Sequence, residues 1–176
     1  MQQYYTSHYH SPLGNITLAS DGNSLTGLWF DGQKYFADII AGEKTLHDGM
    51  LPVFADTRRW LDIYFSGKQP DFTPPLKMAS TPFRKAVWEI LLTIPYGKTM
   101  TYGAIAAITA RQRNISKMSA QAVGGAVGHN HISIIVPCHR VIGAHGSLTG
   151  YAGGIRKKIQ LLEHEGVNIS RLTLPI

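Results

Sequence analysis

Cysteine is nearly missing from this chain: 176 residues hold one, Cys138. A single thiol closes no internal disulfide and fills no Cys-rich zinc site. The sequence therefore points to a reducing compartment and places any thiol chemistry on Cys138. Long apolar runs are missing too, and the opening MQQYYTSHYHSPLG has neither the basic segment nor the apolar stretch of a secretory leader. The expectation is a soluble, cytoplasmic protein with no membrane partner. No internal repeat or low-complexity segment interrupts the chain, whose length suits one large domain or two small ones with a true hydrophobic core.

Acidic residues are scarce after position 76. Residues 1–76 carry five Lys/Arg against eight Asp/Glu, net −3, whereas residues 77–176 carry twelve against three, net +9, together giving +6. Clustered cations gain affinity by releasing counterions from phosphates, so the second half reads as a nucleic-acid binder. The plainer reading is a basic, merely soluble surface.

The stretch GKQPDFTPPLKMASTP, residues 67–82, holds four prolines and little periodic apolar pattern, as a linker should. It suggests two domains, 1–76 and 77–176. In the first, NITLAS and SLTGLWF flank the turn signal Asp21-Gly22 and predict a β-hairpin, with a further strand around Tyr4 to Tyr9. Apolar positions from Val53 to Phe65 recur with helical period and predict a helix over a small sheet. In the second, Ser80 or Thr81 caps a helix that Pro82 opens and whose face is Phe83, Val87, Trp88 and Leu91. Thr101 caps a short helix through Ile105 and Ile108, and Ser119 caps another in SAQAVGGAVGHN. Two short helices joined by the polar turn RQRNISKM have the order of a helix-turn-helix.

Gly124, Gly125 and Gly128 make the last of these helices costly, at about 0.8–1 kcal/mol each relative to Ala. With Ala120, Ala122 and Ala126 they form a smooth face suited to close approach. Its partner is either another helix or a groove too narrow for bulky side chains, such as the minor groove of DNA, about 6 Å wide.

Cys138 ends the apolar stretch in ISIIVPCHRVIG, residues 132–143. A thiol with a pKa of about 8.5 is mostly protonated at neutral pH and needs a base or a positive field to act as a nucleophile. His139 is adjacent, yet neighbours on an extended chain point to opposite faces. Either the chain turns at Pro137 and Cys138, or a water joins thiol and imidazole. A carboxylate should orient that imidazole, and the second half offers only Glu89, Glu163 and Glu165, the last two closing the final helix.

IVPCHRVIG, with GSLTGYAGG and KKIQLLEHEG after it and TPFRKAVWEILLTIPYGKTMTYGAIA before it, resembles the O6-alkylguanine-DNA alkyltransferases, the methylated-DNA–protein-cysteine methyltransferases. The resemblance covers essentially the whole chain. It implies an α+β fold of two small domains. The N-terminal one is a ribonuclease H-like α/β domain with a small antiparallel sheet, and the C-terminal one is mainly helical and winged-helix-like, with a helix-turn-helix. It also implies direct-reversal repair: Cys138 takes an alkyl group from O6 of a flipped-out guanine as a stable thioether, once per molecule. Acceptance of O4-alkylthymine stays open. The implied partner is double-stranded DNA containing the lesion, met by a monomer without cofactor or metal.

Carried over to this chain, Cys138 is the acceptor, His139 its water-mediated base, and Glu165 the acid that bonds His139. Asn130 is the hinge between recognition helix and active-site strand. Tyr102 donates toward guanine N3 and crowds the rotated phosphate, Tyr151 walls the alkyl pocket, and backbone near Val141 and Ala144 meets the guanine edge. The DNA-facing set is Gln121 with Arg84, Ser119, Ala122 and Gly125. Arg140 reads as a structural ion-pair partner, since a guanidinium stays protonated. The chain departs from the family where an intercalating arginine is common, carrying Gln121 there. The turn TARQRNISKMS is also longer than usual, so that Arg111, Arg113 or Lys117 could supply the charge, and His131 replaces a common proline.

Other patterns carry less. His8 with His10, and His129 with His131, have His-x-His spacing but no further matched ligands. Trp29, Trp60 and Trp88 read as core, and GGAVGH lacks the Lys-Ser/Thr of a phosphate loop. Two rival functions remain. A Cys-His-Glu hydrolase would turn over and need an oxyanion hole, and a noncatalytic reader of alkylated DNA would have no use for Cys138.

Overall fold

The computed structural model describes residues 2–47 and 49–174. The chain divides into two compact units. One runs to Ala79 and takes in His131–Ile135; the other comprises Ser80–Asn130 and the chain from Val136 onward.

In the first unit, β1 (Gln3–Ser11), β2 (Gly14–Ser20) and β3 (Leu25–Phe30) form an antiparallel meander. The turn between β2 and β3 is built as its sequence demands. Asp21 Oδ1 accepts the backbone N–H groups of Asn23 and Ser24 at 3.0 and 2.9 Å, and Gly22 supplies the positive φ. The sheet order is β3-β2-β1-β4, and β4 (Lys44–His47) lies parallel to β1. The expected antiparallel sheet therefore holds for three strands and gains a parallel edge. The long 31–43 connection makes the crossover that a parallel pair requires. Helix α1 (Pro52–Phe65) packs on β1, β2 and β3 through Val53, Phe54, Thr57, Trp60, Leu61 and Tyr64, the face that the apolar period predicts.

In the second unit, α2 (Pro82–Leu91) starts with Thr81 accepting the Arg84 N–H and buries Val87, Trp88, Ile90 and Leu91. β5 (Met100–Thr101) leads directly into α3 (Tyr102–Gln112), capped by Thr101 at 3.0 Å from Ala104 N. Asn114, in the left-handed region, ends that helix, with the Ile115 N–H turned back to the Ala110 carbonyl. α4 (Ala120–Gly128) follows, capped by Ser119 at 3.0 Å from Ala122 N. The buried Trp88 donates its Nε1–H to the Ala126 carbonyl at 2.8 Å, tying α2 to α4. β6 (Val141–Ile142) pairs in parallel with β5, and α5 (Ile155–His164) closes the unit. Trp29, Trp60 and Trp88 are all core residues. Among the described residues no helix is long and apolar enough to cross a membrane.

Candidate active site

The apolar run before Cys138 is not the strand that its β-branched residues suggest. Its first part pairs with β3, through Leu28 N–H to the His131 carbonyl and Ser133 N–H to the Leu28 carbonyl, at 2.8 and 2.9 Å. Then it folds into two tight turns. Ile134 sits at φ 70, with Ile135 N–H on the Ser133 carbonyl, and Pro137 at φ −82, ψ 65, with Cys138 N–H on the Val136 carbonyl. A three-residue 3-10 turn, Cys138–Arg140, follows at once. A turn at Pro137 and Cys138 is one of the two ways sequence offers for thiol and imidazole to share a site. Asn130 closes the neck of this excursion, its Nδ2 donating to the Val136 carbonyl at 2.8 Å. The same side chain bonds the Cys138 sulfur and favours its ionised form. His131 is buried in the first unit, with its Nδ1 3.5 Å from Asp38 Oδ1.

Cys138 is buried, and burial pushes its thiol pKa up, against the lowering effect of Asn130 and of Lys158. His139 has no exposed surface, and burial pushes its pKa down despite its carboxylate neighbour, so the imidazole is neutral at physiological pH. Its Nε2 lies 2.7 Å from Glu165 Oε1. Glu165 follows α5, in the register that buries Leu161 and Leu162. Burial alone would raise the Glu165 pKa. The hydrogen bonds and charges of His139 and Arg140 overcome it and hold the carboxyl well below its usual range. Arg140 grips both carboxylate oxygens, Nε to Oε2 and Nη2 to Oε1 at 2.9 Å each, and donates Nη1 to the Ile94 carbonyl at 2.7 Å. The Gly97 N–H completes the anchor at 3.1 Å from Oε2. Because an ionised carboxylate only accepts, His139 carries its proton on Nε2. Its Nδ1 is buried without a hydrogen-bond partner among the described residues.

A cavity of about 600 Å³ opens beside this cluster, lined among others by Tyr102, Gln121, Gly124, Ala144, Thr149 and Gly150. Tyr102 links cavity and thiol. Its hydroxyl donates to the Thr149 carbonyl at 2.9 Å, and its pKa is pushed up to about 12 by burial and by the nearby Cys138. Gln121 stands exposed on the first turn of α4, with Ala122 and Gly125 exposed after it. At Gly125 and Gly128 an added Cβ would meet nothing within 4 Å, so no other helix occupies this smooth face in the described residues. Tyr151 is buried, and Val141 is fixed in β6. Arg84, on the first turn of α2, does not line the cavity. No group of three or more His, Cys, Asp or Glu among the described residues is placed to hold a metal ion.

Sequence reasoning passed over Lys158. It is fully buried on α5, its Nζ donates to the Thr149 carbonyl at 2.7 Å, and burial lowers its pKa to about 8. The signal was present in the spacing: Lys158, Leu161, Leu162 and Glu165 fall at i, i+3, i+4 and i+7, one helix face.

A family model described as 6-O-methylguanine DNA methyltransferase, ribonuclease-like domain, matches residues 4–78, and one for the DNA binding domain of the same family matches residues 82–167. A Mycobacterium leprae relative named methylated-DNA–protein-cysteine methyltransferase is 43% identical over 158 residues, 88% of each chain. A Haemophilus influenzae relative of the same name is 39% identical over 168 residues, covering 95% of this chain and 89% of its own. Among solved structures, Mycobacterium tuberculosis O6-methylguanine methyltransferase superposes with a TM-score of 0.77 at 42% identity, covering 97% of this chain and 95% of its own. Mycobacterium tuberculosis OGT in complex with DNA gives 0.76 at 41% identity, covering 97% and 94%.

Proposed function

Because the chain belongs to the 6-O-methylguanine DNA methyltransferase family, we propose that it repairs DNA by moving an alkyl group from O6 of guanine to Cys138, once per molecule. The observation that carries this reading is a buried thiol whose chain neighbour is a buried imidazole bonded to an anchored carboxylate, with the imidazole Nδ1 left unbonded among the described residues. DNA is present in the M. tuberculosis structure that this chain resembles. The basic part from residue 77 then binds the duplex and accepts the alkyl group, while the part up to 76 supports it. A thiol that must stay reduced until used suits a cytoplasmic setting.

The target carbon lies inside the base stack, so the nucleotide must leave the duplex to reach the thiol. Gln121 fills the space it vacates, with Ser119, Ala122 and Gly125 along the groove and Arg84 at its edge. Tyr151, Val141 and Ala144 bound the place where the base and its alkyl group sit. Cys138 is a neutral thiol at rest and needs a base. The neutral His139 takes its proton at Nδ1 through one water, and the ionised Glu165 stabilises the imidazolium that results. The sulfur–carbon bond forms as the carbon–O6 bond breaks, and the electron pair stays with guanine. Tyr102 donates to the ring edge while that charge develops, and the proton taken from the thiol is the equivalent of the one guanine regains on its ring. The thioether is neutral and has no leaving group of comparable quality, so the protein does not turn over.

The test is intact-protein mass after mixing with a duplex containing O6-methylguanine. A stoichiometric gain of one methyl on Cys138 is expected, and none in Cys138→Ser, which should still bind the duplex because its helix surface is unchanged. Methyl transfer by the serine variant would show that the acceptor is misassigned. Binding without any mass gain in the wild type would make the protein a lesion reader instead.

A further inference from the structure

The Thr149 carbonyl accepts two donors at once, the Tyr102 hydroxyl at 2.9 Å and the Lys158 ammonium at 2.7 Å. Lys158 has no exposed surface, and its Nζ stands 5.9 Å from the centre of the Tyr102 ring. The groups that face this charge are Tyr102 from α3 and Cys138 and His139 from the turn after Pro137. No carboxylate pairs with it among the described residues, which makes it an expensive charge to bury. The next residue is kept bare: Gly150 lies at φ +75, and a Cβ there would come within 2.7 Å of the Tyr102 hydroxyl oxygen.

This arrangement bears on how Tyr102 can act. In the free protein its hydroxyl hydrogen is already committed to the Thr149 carbonyl. To donate to an extrahelical base it must release that carbonyl, and a carbonyl left without a donor once the base fills the cavity and screens it from water resists the release. A carbonyl oxygen has two lone pairs, and here the second is already held by an ammonium.

We propose that Lys158 and Tyr102 form an exchange pair on the Thr149 carbonyl. Lys158 is a positioning residue that keeps this carbonyl bonded, and the 149–151 wall in place, while the Tyr102 hydroxyl turns to the lesion. The proposal rests on the alkyl-transfer reading. The lowered Lys158 pKa, about 8, follows from burial and is partly offset by Cys138.

Single-turnover transfer from an O6-methylguanine duplex tests the pair in a double-mutant cycle of Lys158→Met and Tyr102→Phe. Lys158→Met is expected to slow transfer about tenfold to a hundredfold, the effect of one acceptor orphaned when the base closes over it, with affinity for undamaged duplex within about twofold. In the Tyr102→Phe background, where no hydroxyl waits to be released, the same substitution should cost less than about threefold. An unchanged rate in Lys158→Met, or equal losses in both backgrounds, overturns the proposal.

Should Lys158→Met fail to fold, NMR titration of the lysine ammonium groups in the wild type decides instead. One lysine should titrate near 8 and rise in Tyr102→Phe, where the Thr149 carbonyl is left to the ammonium alone. No lysine titrating well below the ordinary range, or no response to Tyr102→Phe, overturns it. Failure of the wild type to gain a methyl from the damaged duplex would sink the alkyl-transfer reading itself, while the titration would still report on the Lys158 and Tyr102 pair.

Discussion

Arg140, Lys158 and Glu165 bring three charges into the surroundings of one buried thiol, and only two of them neutralise each other. With His139 neutral, the bidentate grip of Arg140 keeps Glu165 ionised at physiological pH. Arg140 also disfavours a second positive charge on His139, whereas Glu165 favours one. Arg140→Met should therefore do two things. Breaking a buried pair by removing one partner costs about 3–5 kcal/mol, read as a lower midpoint in denaturant. The His139 pKa should rise as well, which moves the pH profile of transfer toward the alkaline side. A variant that is merely less stable, with its profile unmoved, would remove Arg140 from the tuning of the base. In the wild type both His139 and Glu165 have depressed pKa values. The stability they contribute is complete above their unfolded values and is lost as pH falls. Loss begins below about pH 6.5 for the histidine and about 4.3 for the carboxylate. Thermal melting should thus fall between pH 7 and pH 5, and less so in Arg140→Met, where the histidine is less depressed.

α4 spends helix stability on glycines that nothing in its own unit requires. Gly125 is exposed, and a Cβ there would touch nothing. Gly125→Ala should stabilise the fold by about 0.8–1 kcal/mol, seen as a higher melting temperature. Gly125→Leu should weaken duplex binding, because its side chain would stand in the groove that the bare backbone approaches. Undiminished binding by the leucine variant would place the duplex elsewhere. The element starts around this helix were legible because they are local: Thr81, Thr101 and Ser119 cap by side-chain bonds within three residues. The Asp21-Gly22 hairpin and the buried face of α1 were legible for the same reason. The run 131–137 was not. Its partners are Leu28, a hundred residues away in sequence, and the Asn130 side chain, so β-branched composition suggested a strand where turns form. β4 is exposed along its length and has no pattern to betray its parallel pairing. At the site, the order Cys138, His139, Glu165 and the place of Tyr102 were legible through family resemblance. The burial of Lys158 was hidden by the ordinary expectation that lysine faces water.

The charge asymmetry of the whole chain sharpens once buried groups are set aside. Of twelve Lys/Arg after residue 76, Arg140 and Lys158 are buried, and of three acids Glu165 is, leaving ten cations against two anions outside the core. Such a surface gains affinity for a duplex mainly by releasing counterions, so binding should weaken steeply with salt, with a slope of about 0.9 per phosphate neutralised. Gln121 is an exposed polar residue on the first turn of α4 that also lines the cavity, and it adds no charge there. Gln121→Arg places one more cation where the duplex should lie. It is expected to bind DNA more tightly at low salt and to steepen the logarithmic salt dependence by about one unit. Moving the same charge to the first unit, as Thr45→Arg on the exposed β4, should leave the slope alone. A salt slope unchanged in Gln121→Arg, measured by titration at several ionic strengths, would remove α4 from the duplex and with it the route by which a flipped base reaches Cys138.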